Sequence, residues 1–218
     1  AWRPVVSAIQ KEGSVAVMQM FHCGRMAWPE VNPAGRVIAP SPITPEQDNP
    51  LTGQAYPVPD EMSRFDIDHV IKGFVETARG AVEAGFGGIE IHGAHGYLVT
   101  QFLSAMTNRR DDAWGGDPTR RRAFLDAVID EVRGQVGADF PLWIKLGVAG
   151  KAESGLPLAE GAHVAAACAT RGVDCIEISH ASGTPEEIDT RREAAFRPLA
   201  EGVREAVGPA YPLALVHG

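Results

Sequence analysis

The sequence of 218 residues lacks the features that mark several large classes of protein. Its three cysteines are too few for a disulfide framework and lack metal-site spacing, so a reducing cytoplasm is the expected setting. No apolar run reaches the roughly 20 residues that a membrane-spanning helix requires. Because the formal net charge is −8 and no basic run is long, a nucleic-acid partner is not expected either.

Short apolar runs separated by helical patterns make up most of the chain. Five of these runs predict buried strands: residues 15–20, 88–92, 142–146, 175–179 and 213–216. Apolar residues between the runs recur at helical spacing, and Asp117 followed by Pro118 predicts the start of one helix. Strands that alternate with helices in this way indicate an α/β fold with a parallel sheet.

Two architectures contain such a sheet, the open doubly wound fold and the closed barrel. No glycine-rich phosphate loop follows a predicted strand, which argues against the dinucleotide-binding form of the open sheet. Polar residues recur instead where the predicted strands end: His22, His92, His95, Lys145, Ser179 and His180. Because a barrel brings the carboxyl ends of its strands to one rim, this pattern favours the barrel.

The proline-rich segment 28–64 interrupts the alternation and has no clear period. Because loops of this length in compact domains are usually functional, we predict that it crosses the mouth of the barrel. Residues 1–218 are then predicted to form a single domain. The chain opens within a predicted helix and stops directly after a predicted strand, so we expect it to be a fragment of a longer protein.

Side-chain alternation brings polar residues of neighbouring strands onto common faces. Glu90 and His92 share one face of their strand, and Lys145 lies on the polar face of the next. If these faces point into the barrel, Gln19, His92 and Lys145 approach one another near its top.

His92 and His95 allow three interpretations from the residues alone. They could be hydrogen-bonded structural histidines, ligands of a metal ion, or uncharged donors that bind an oxygen such as a substrate carbonyl. The metal interpretation is disfavoured because no third ligand has suitable spacing and the neighbouring Lys145 would repel a cation. The first and third interpretations stay open.

Lys145 lies in an otherwise apolar strand, where a charge is costly unless it is paired. It could form a buried ion pair with Glu90, form a Schiff base as in barrel aldolases, or stabilise an anionic cofactor. The run 108–117 is dense in arginine, aspartate and glycine. We interpret that run as a structural connection held by Arg–Asp pairs.

Taken together, these motifs resemble the old yellow enzyme family of FMN-dependent oxidoreductases. The resemblance rests on residues 19–25, 38–41 and 85–103, continued by the run 108–117, and it spans essentially the whole chain. It implies a (β/α)8 TIM barrel with FMN across the mouth. The chain would supply about five of the eight parallel strands, from the third to the seventh, without the N-terminal and C-terminal strands.

The resemblance also implies which residues bind the cofactor. Gln19 would hydrogen-bond the pyrimidine edge of FMN, and Lys145 would place a positive charge near N1 and the C2 carbonyl. Many members have arginine where this chain has Lys145, which preserves the charge but not two-pronged hydrogen bonding. Gly218 would belong to the phosphate-binding turn. His22 and Arg25 match a segment near the flavin, for which we predict proximity alone.

The catalytic residues implied by the resemblance are His92, His95 and Tyr97. His92 and His95 would bind the carbonyl oxygen of the substrate, and Tyr97 would protonate its α-carbon. The implied activity is transfer of hydride from NADH or NADPH, through FMN, to the activated C=C bond of a small α,β-unsaturated carbonyl compound.

Two other functions are retained as alternatives, a metal-dependent TIM-barrel hydrolase and a non-catalytic fragment or binding module. For the leading interpretation we expect a cytoplasmic flavoprotein, possible homo-oligomers, and neither a membrane nor a nucleic-acid partner. The segment by itself is expected to bind FMN weakly or not at all and to be inactive.

Overall fold

The structure is a computed structural model that describes residues 1–32, 35–49, 52–151 and 155–216. Its main sheet has five parallel strands in the order β1, β4, β5, β6 and β7. These strands are Val17–Met20 (β1), Gly88–Gly93 (β4), Leu142–Ala149 (β5), Cys175–His180 (β6) and Leu213–Leu215 (β7). A separate parallel pair consists of Ile38–Ala39 (β2) and Asp60–Glu61 (β3).

Except for the first, which precedes the sheet, the α-helices lie between successive strands of the sheet, as the sequence pattern predicted. They are Arg3–Lys11 (α1), Arg64–Ala84 (α2), Leu98–Leu103 (α3), Pro118–Val136 (α4), Leu158–Thr170 (α5) and Arg197–Val207 (α6). Within the described part of the chain, none of them is long and apolar enough to cross a membrane.

Local signals explain where the longest helices begin and end. At the start of α2, Ser63 and Asp66 form a capping box, and Gly85 ends the helix in the left-handed region at φ 91°. The predicted cap of α4 is confirmed, because the Asp117 side chain accepts hydrogen bonds from the backbone N–H groups of Thr119 and Arg120.

The two faces of the sheet differ in chemistry, as side-chain alternation requires. The outer face packs against the helices through fully buried aliphatic residues: Ile89, Ile91, Leu142, Ile144, Leu146, Ile176 and Ile178. The inner face carries the polar residues Gln19, Glu90, His92, Lys145 and Glu177. Gln19, His92 and Lys145 therefore all lie on the face opposite to the helices. The sequence analysis required this orientation for the three side chains to approach one another.

Segment 28–64 is less irregular than its sequence suggested, because it contains β2 and β3. Arg110 ties it to the connection after α3 by donating from Nη1 to Pro40 O at 3.1 Å and to Met62 O at 2.8 Å. Asp112 accepts from the same guanidinium at 2.6 Å. These contacts agree with a structural role for the run 108–117, whereas the single domain and the position of 28–64 over the mouth stay predictions.

Candidate active site

The candidate site begins where β4 ends and the chain turns into α3. His92 is part of β4, and Tyr97 is the residue that immediately precedes α3. Between them, His95 and Gly96 both have positive φ angles, 59° and 76°. This turn brings the His95 and Tyr97 rings to 4.9 and 5.2 Å from the ring of His92. The three predicted catalytic side chains therefore form one cluster.

His92 is an uncharged imidazole at neutral pH. Its burial, followed by the nearby His95 and the positive charge of Lys145, lowers its pKa to about 4. Its Nδ1 atom is buried and has no hydrogen-bond partner among the described residues. Because a buried polar atom without a partner is costly, this nitrogen is a natural contact for a ligand.

His95 is fixed to the neighbouring part of the sheet. Its Nε2 lies 2.8 Å from Ser179 Oγ on β6, and its ring centroid lies 4.7 Å from that of His180. Ser179 and His180 are two of the polar residues that the sequence placed at strand ends. The structure thus brings the ends of β4 and β6 together through His95.

Gln19 and Lys145 lie on either side of two carboxylates. Gln19 Nε2 donates to Glu90 Oε2 at 2.6 Å, and Lys145 Nζ forms an ion pair with Glu177 Oε1 at 3.0 Å. The ion pair that one interpretation placed between Lys145 and Glu90 is therefore made with Glu177. Glu177 was missed by the sequence interpretation, although alternation with Ile176 and Ile178 already assigns it to the polar face.

Aromatic rings lie beside these polar groups on the inner face. Phe21, which follows β1, is 54% exposed, and its ring lies 5.4 Å from that of Tyr97 and 6.1 Å from that of His92. Trp143, on the inner face of β5, is also partly exposed. The face therefore offers flat apolar surface, an amide, a cation and the uncharged imidazole of His92 to one ligand.

Gln101 links two segments of the chain beside the site, and the sequence interpretation missed this residue too. The side chain is 1% exposed, and its Oε1 accepts from the Arg25 backbone N–H at 3.0 Å. Its Nε2 donates to Cys23 O at 3.1 Å and to Gly96 O at 2.7 Å. Gln101 thereby joins the segment after β1 to the turn that carries His95. Arg25 and His95 both line an adjacent cavity of about 630 Å³.

Gln101→Leu is expected to lower the free energy of unfolding by roughly 2 kcal/mol, because it leaves buried backbone groups without partners. Urea denaturation of the full-length protein measures the change. Gln54→Leu is the control, since the exposed Gln54 should shift the value by less than about 0.5 kcal/mol. Equal effects of the two substitutions on the free energy of unfolding would show that the Gln101 hydrogen bonds do not stabilise the fold.

Residues 1–206 match the sequence profile of the NADH:flavin oxidoreductase / NADH oxidase family. The chain belongs to this family. The resemblance to old yellow enzymes inferred from the sequence motifs is thereby confirmed, and with it the family's use of FMN with a nicotinamide reductant.

Two curated family members illustrate the similarity. An NADPH dehydrogenase of Geobacillus thermodenitrificans is 35% identical over 94% of this chain, which corresponds to 56% of that protein. The 12-oxophytodienoate reductase 1 of rice, Oryza sativa subsp. japonica, is 40% identical over 63% of the chain and 36% of its own length. The chain thus spans about half the length of the NADPH dehydrogenase.

A solved structure shows the fold of the family. The old yellow enzyme homologue from Zymomonas mobilis superposes with a TM-score of 0.82 at 24% sequence identity, covering 99% of this chain and 60% of its own. The five-stranded sheet is therefore part of a (β/α)8 barrel, as predicted.

Two further predictions concern ligands. Among the described residues, no group of three or more His, Cys, Asp and Glu side chains is arranged to hold a metal ion. Gly218, predicted to bind the FMN phosphate, lies outside the described residues. The roles assigned to Gln19, Lys145, His92, His95 and Tyr97 are taken up as proposals below.

Proposed function

We propose that the full-length protein reduces the activated C=C bond of small α,β-unsaturated carbonyl compounds with NADH or NADPH, using FMN. The observation that carries the proposal is that Gln19, Lys145 and His92 share the inner face of the sheet, with the His95 and Tyr97 rings 4.9 and 5.2 Å from that of His92. The names of the family members, which include an NADPH dehydrogenase and a 12-oxophytodienoate reductase, support it.

The residues of the inner face suit the FMN ring chemically. The pyrimidine edge of a flavin has hydrogen-bonding groups and carries negative charge when reduced, and Gln19 and Lys145 present an amide and a cation on one face. The exposed ring of Phe21 adds apolar contact. We assign cofactor binding to Gln19 and Lys145, and phosphate binding to Gly218. When bound, FMN would carry hydride from the nicotinamide to the alkene.

The remaining side chains act on the substrate. His92 and His95 bind its carbonyl oxygen, which withdraws electrons from the double bond. Because the pKa of His92 is lowered to about 4, its imidazole stays uncharged throughout the neutral range and binds as a neutral donor. Tyr97 then protonates the α-carbon, since its ring borders both His92 and Phe21.

The proposal is tested by purifying the full-length protein and recording its absorbance spectrum. We expect one equivalent of FMN and oxidation of NADH or NADPH that depends on an added enone such as cyclohexenone. Adding a chelator should not change the rate. A colourless protein that hydrolyses esters or amides and loses this activity with the chelator would instead favour the metal-dependent hydrolase.

Lys145→Met is expected to weaken binding of reduced FMN roughly tenfold more than binding of oxidised FMN, because only the reduced ring carries the charge that Lys145 stabilises. The FMN midpoint potential and the affinity for oxidised FMN together give both constants. Lys145→Arg keeps the charge and should restore the wild-type ratio of the affinities for reduced and oxidised FMN. Lys72→Met, on the exposed surface of α2, should not alter this ratio. An unchanged ratio in Lys145→Met would remove Lys145 from the flavin site.

Two further properties belong to this proposal. All three cysteines are free thiols, which supports a cytoplasmic location. Association of the full-length protein into homo-oligomers is a prediction that analytical ultracentrifugation tests.

A further inference from the structure

The inner face contains two carboxylates, Glu90 and Glu177, for which the proposed reaction has no role. Glu90 is 7% exposed and accepts from Gln19 Nε2 at 2.6 Å, and Glu177 is near enough to help raise the pKa of Glu90. Glu177 in turn pairs with Lys145 Nζ at 3.0 Å. The four side chains, here called the carboxyl row, are neighbours on the inner face, with Gln19 at one end and Lys145 at the other.

Two neighbouring carboxyl groups repel each other when both are ionised, which favours binding of one proton by this row. Burial and the neighbouring Glu177 raise the pKa of Glu90 to about 7, so Glu90 holds the proton. With Lys145 contributing +1 and Glu177 −1, the row is neutral when Glu90 is protonated. Its net charge becomes −1 when Glu90 ionises.

The titratable and charged groups around Glu90 are His92 on β4, Lys145 on β5, and Cys175 and Glu177 on β6. The neighbouring β1 contributes the uncharged amide of Gln19. His92 is uncharged at neutral pH, and burial raises the pKa of the Cys175 thiol, which keeps it protonated. Among Glu90, His92 and Cys175, Glu90 is therefore the side chain whose charge changes near pH 7.

The hydrogen bond to Glu90 also orients the Gln19 amide. Because Nε2 donates to Glu90, Oε1 is the amide atom that remains for a hydrogen-bond donor on the ligand. The N3–H group of a flavin is a donor of this kind. Glu90 thus acts on both groups to which we assign flavin binding, on Gln19 by direct contact and on Lys145 through Glu177.

We propose that Glu90 is a positioning residue of the flavin site, which orients Gln19 and sets by its own protonation how much of the Lys145 charge a bound FMN experiences. The inference rests on the proposed function, because it requires FMN on the inner face. It predicts that reduced FMN is favoured when Glu90 is protonated, and disfavoured once Glu90 ionises and the row becomes negative.

Glu90→Gln tests this inference, since the amide can replace the protonated carboxyl but cannot ionise. The midpoint potential of bound FMN and the affinity for oxidised FMN are measured on the full-length protein near pH 5.5 and near pH 8.5. Near pH 8.5, we expect the variant to favour reduced over oxidised FMN by roughly threefold to tenfold relative to the wild type. Near pH 5.5, where wild-type Glu90 is already neutral, the two proteins should agree.

Two further variants complete the experiment. Glu205→Gln removes an exposed carboxylate on α6 and should have no effect at either pH. Glu177→Gln removes the charge that faces Lys145, so near pH 8.5 it should favour reduced FMN, and it tests the carboxyl row if Glu90→Gln fails to fold. For Glu177→Gln, a preference for reduced over oxidised FMN equal to that of the wild type near pH 8.5 would overturn the inference.

The outcomes separate this inference from the function on which it rests. If the full-length protein binds FMN but the wild type and Glu90→Gln have the same preference for reduced over oxidised FMN near pH 8.5, only the role of Glu90 is overturned. A protein that binds no FMN overturns the proposed function, and the inference with it. An equal effect of Glu90→Gln at both pH values also contradicts the inference, because the proton would then not be lost between them.

Discussion

Tyr97→Phe is expected to slow oxidation of the reduced flavin by an unsaturated ketone by roughly 10²–10⁴-fold, the usual contribution of a positioned acid. Reduction of FMN by NADH or NADPH should keep its wild-type rate, because that step requires no proton at the substrate α-carbon. Stopped-flow absorbance measures the two half-reactions separately. The selective loss follows from the position of Tyr97, whose ring borders His92 at the end of β4.

Tyr56→Phe is the matched control for this prediction. Tyr56 belongs to segment 28–64, is buried, and stacks edge-on with Trp28 at 5.9 Å. Tyr97 is near enough to contribute to the raised pKa of the Tyr56 phenol, after burial. If Tyr56→Phe abolished the oxidative half-reaction while Tyr97→Phe preserved it, the proton would come from segment 28–64 and the role of Tyr97 would be wrong.

Gly161→Ala is expected to lower the free energy of unfolding by about 3 kcal/mol or more, the largest stability effect that we predict for a single methyl group. Gly161 lies in α5 where this helix crosses β5, and an added Cβ would lie 1.8 Å from Val148 O and 2.5 Å from Val148 C. Both are backbone atoms of a central strand. The clash therefore cannot be relieved by a side-chain rotation and must separate α5 from the sheet.

Gly134→Ala provides the matched control, because Gly134 is also inside a helix but has open space where the Cβ would be. Alanine is favoured over glycine within helices, so this variant should be more stable by about 0.5–1 kcal/mol. Urea denaturation of both full-length variants gives the comparison. A Gly161→Ala protein as stable as Gly134→Ala would contradict the close packing of α5 on β5.

The sequence predicted the five strands of the main sheet and most helices because their apolar periodicity is strong. It also placed Gln19, His92 and Lys145 on one face, since alternation along a strand is a local rule. The short helix α3 was missed, because its residues Leu98–Leu103 are all buried and show no amphipathic period. The pair of β2 and β3 was missed because each has only two residues.

Contacts between distant segments were harder to predict. The partner of Lys145 depends on the register of β5 with β6, and that register brings Glu177 beside it. Glu90 instead accepts a hydrogen bond from Gln19. The role of Gln101 has the same origin, because its acceptors and donor come from segments that only the folded chain brings together.

A crystal structure of the full-length protein with FMN tests the central claim most directly. The account predicts a flavin on the inner face of the sheet, with its pyrimidine edge against Gln19 and Lys145 and its ring beside His92 and Tyr97. A flavin bound against the outer helices, or in the cavity lined by Arg25 and Lys151 without contact to Gln19 and Lys145, would contradict it.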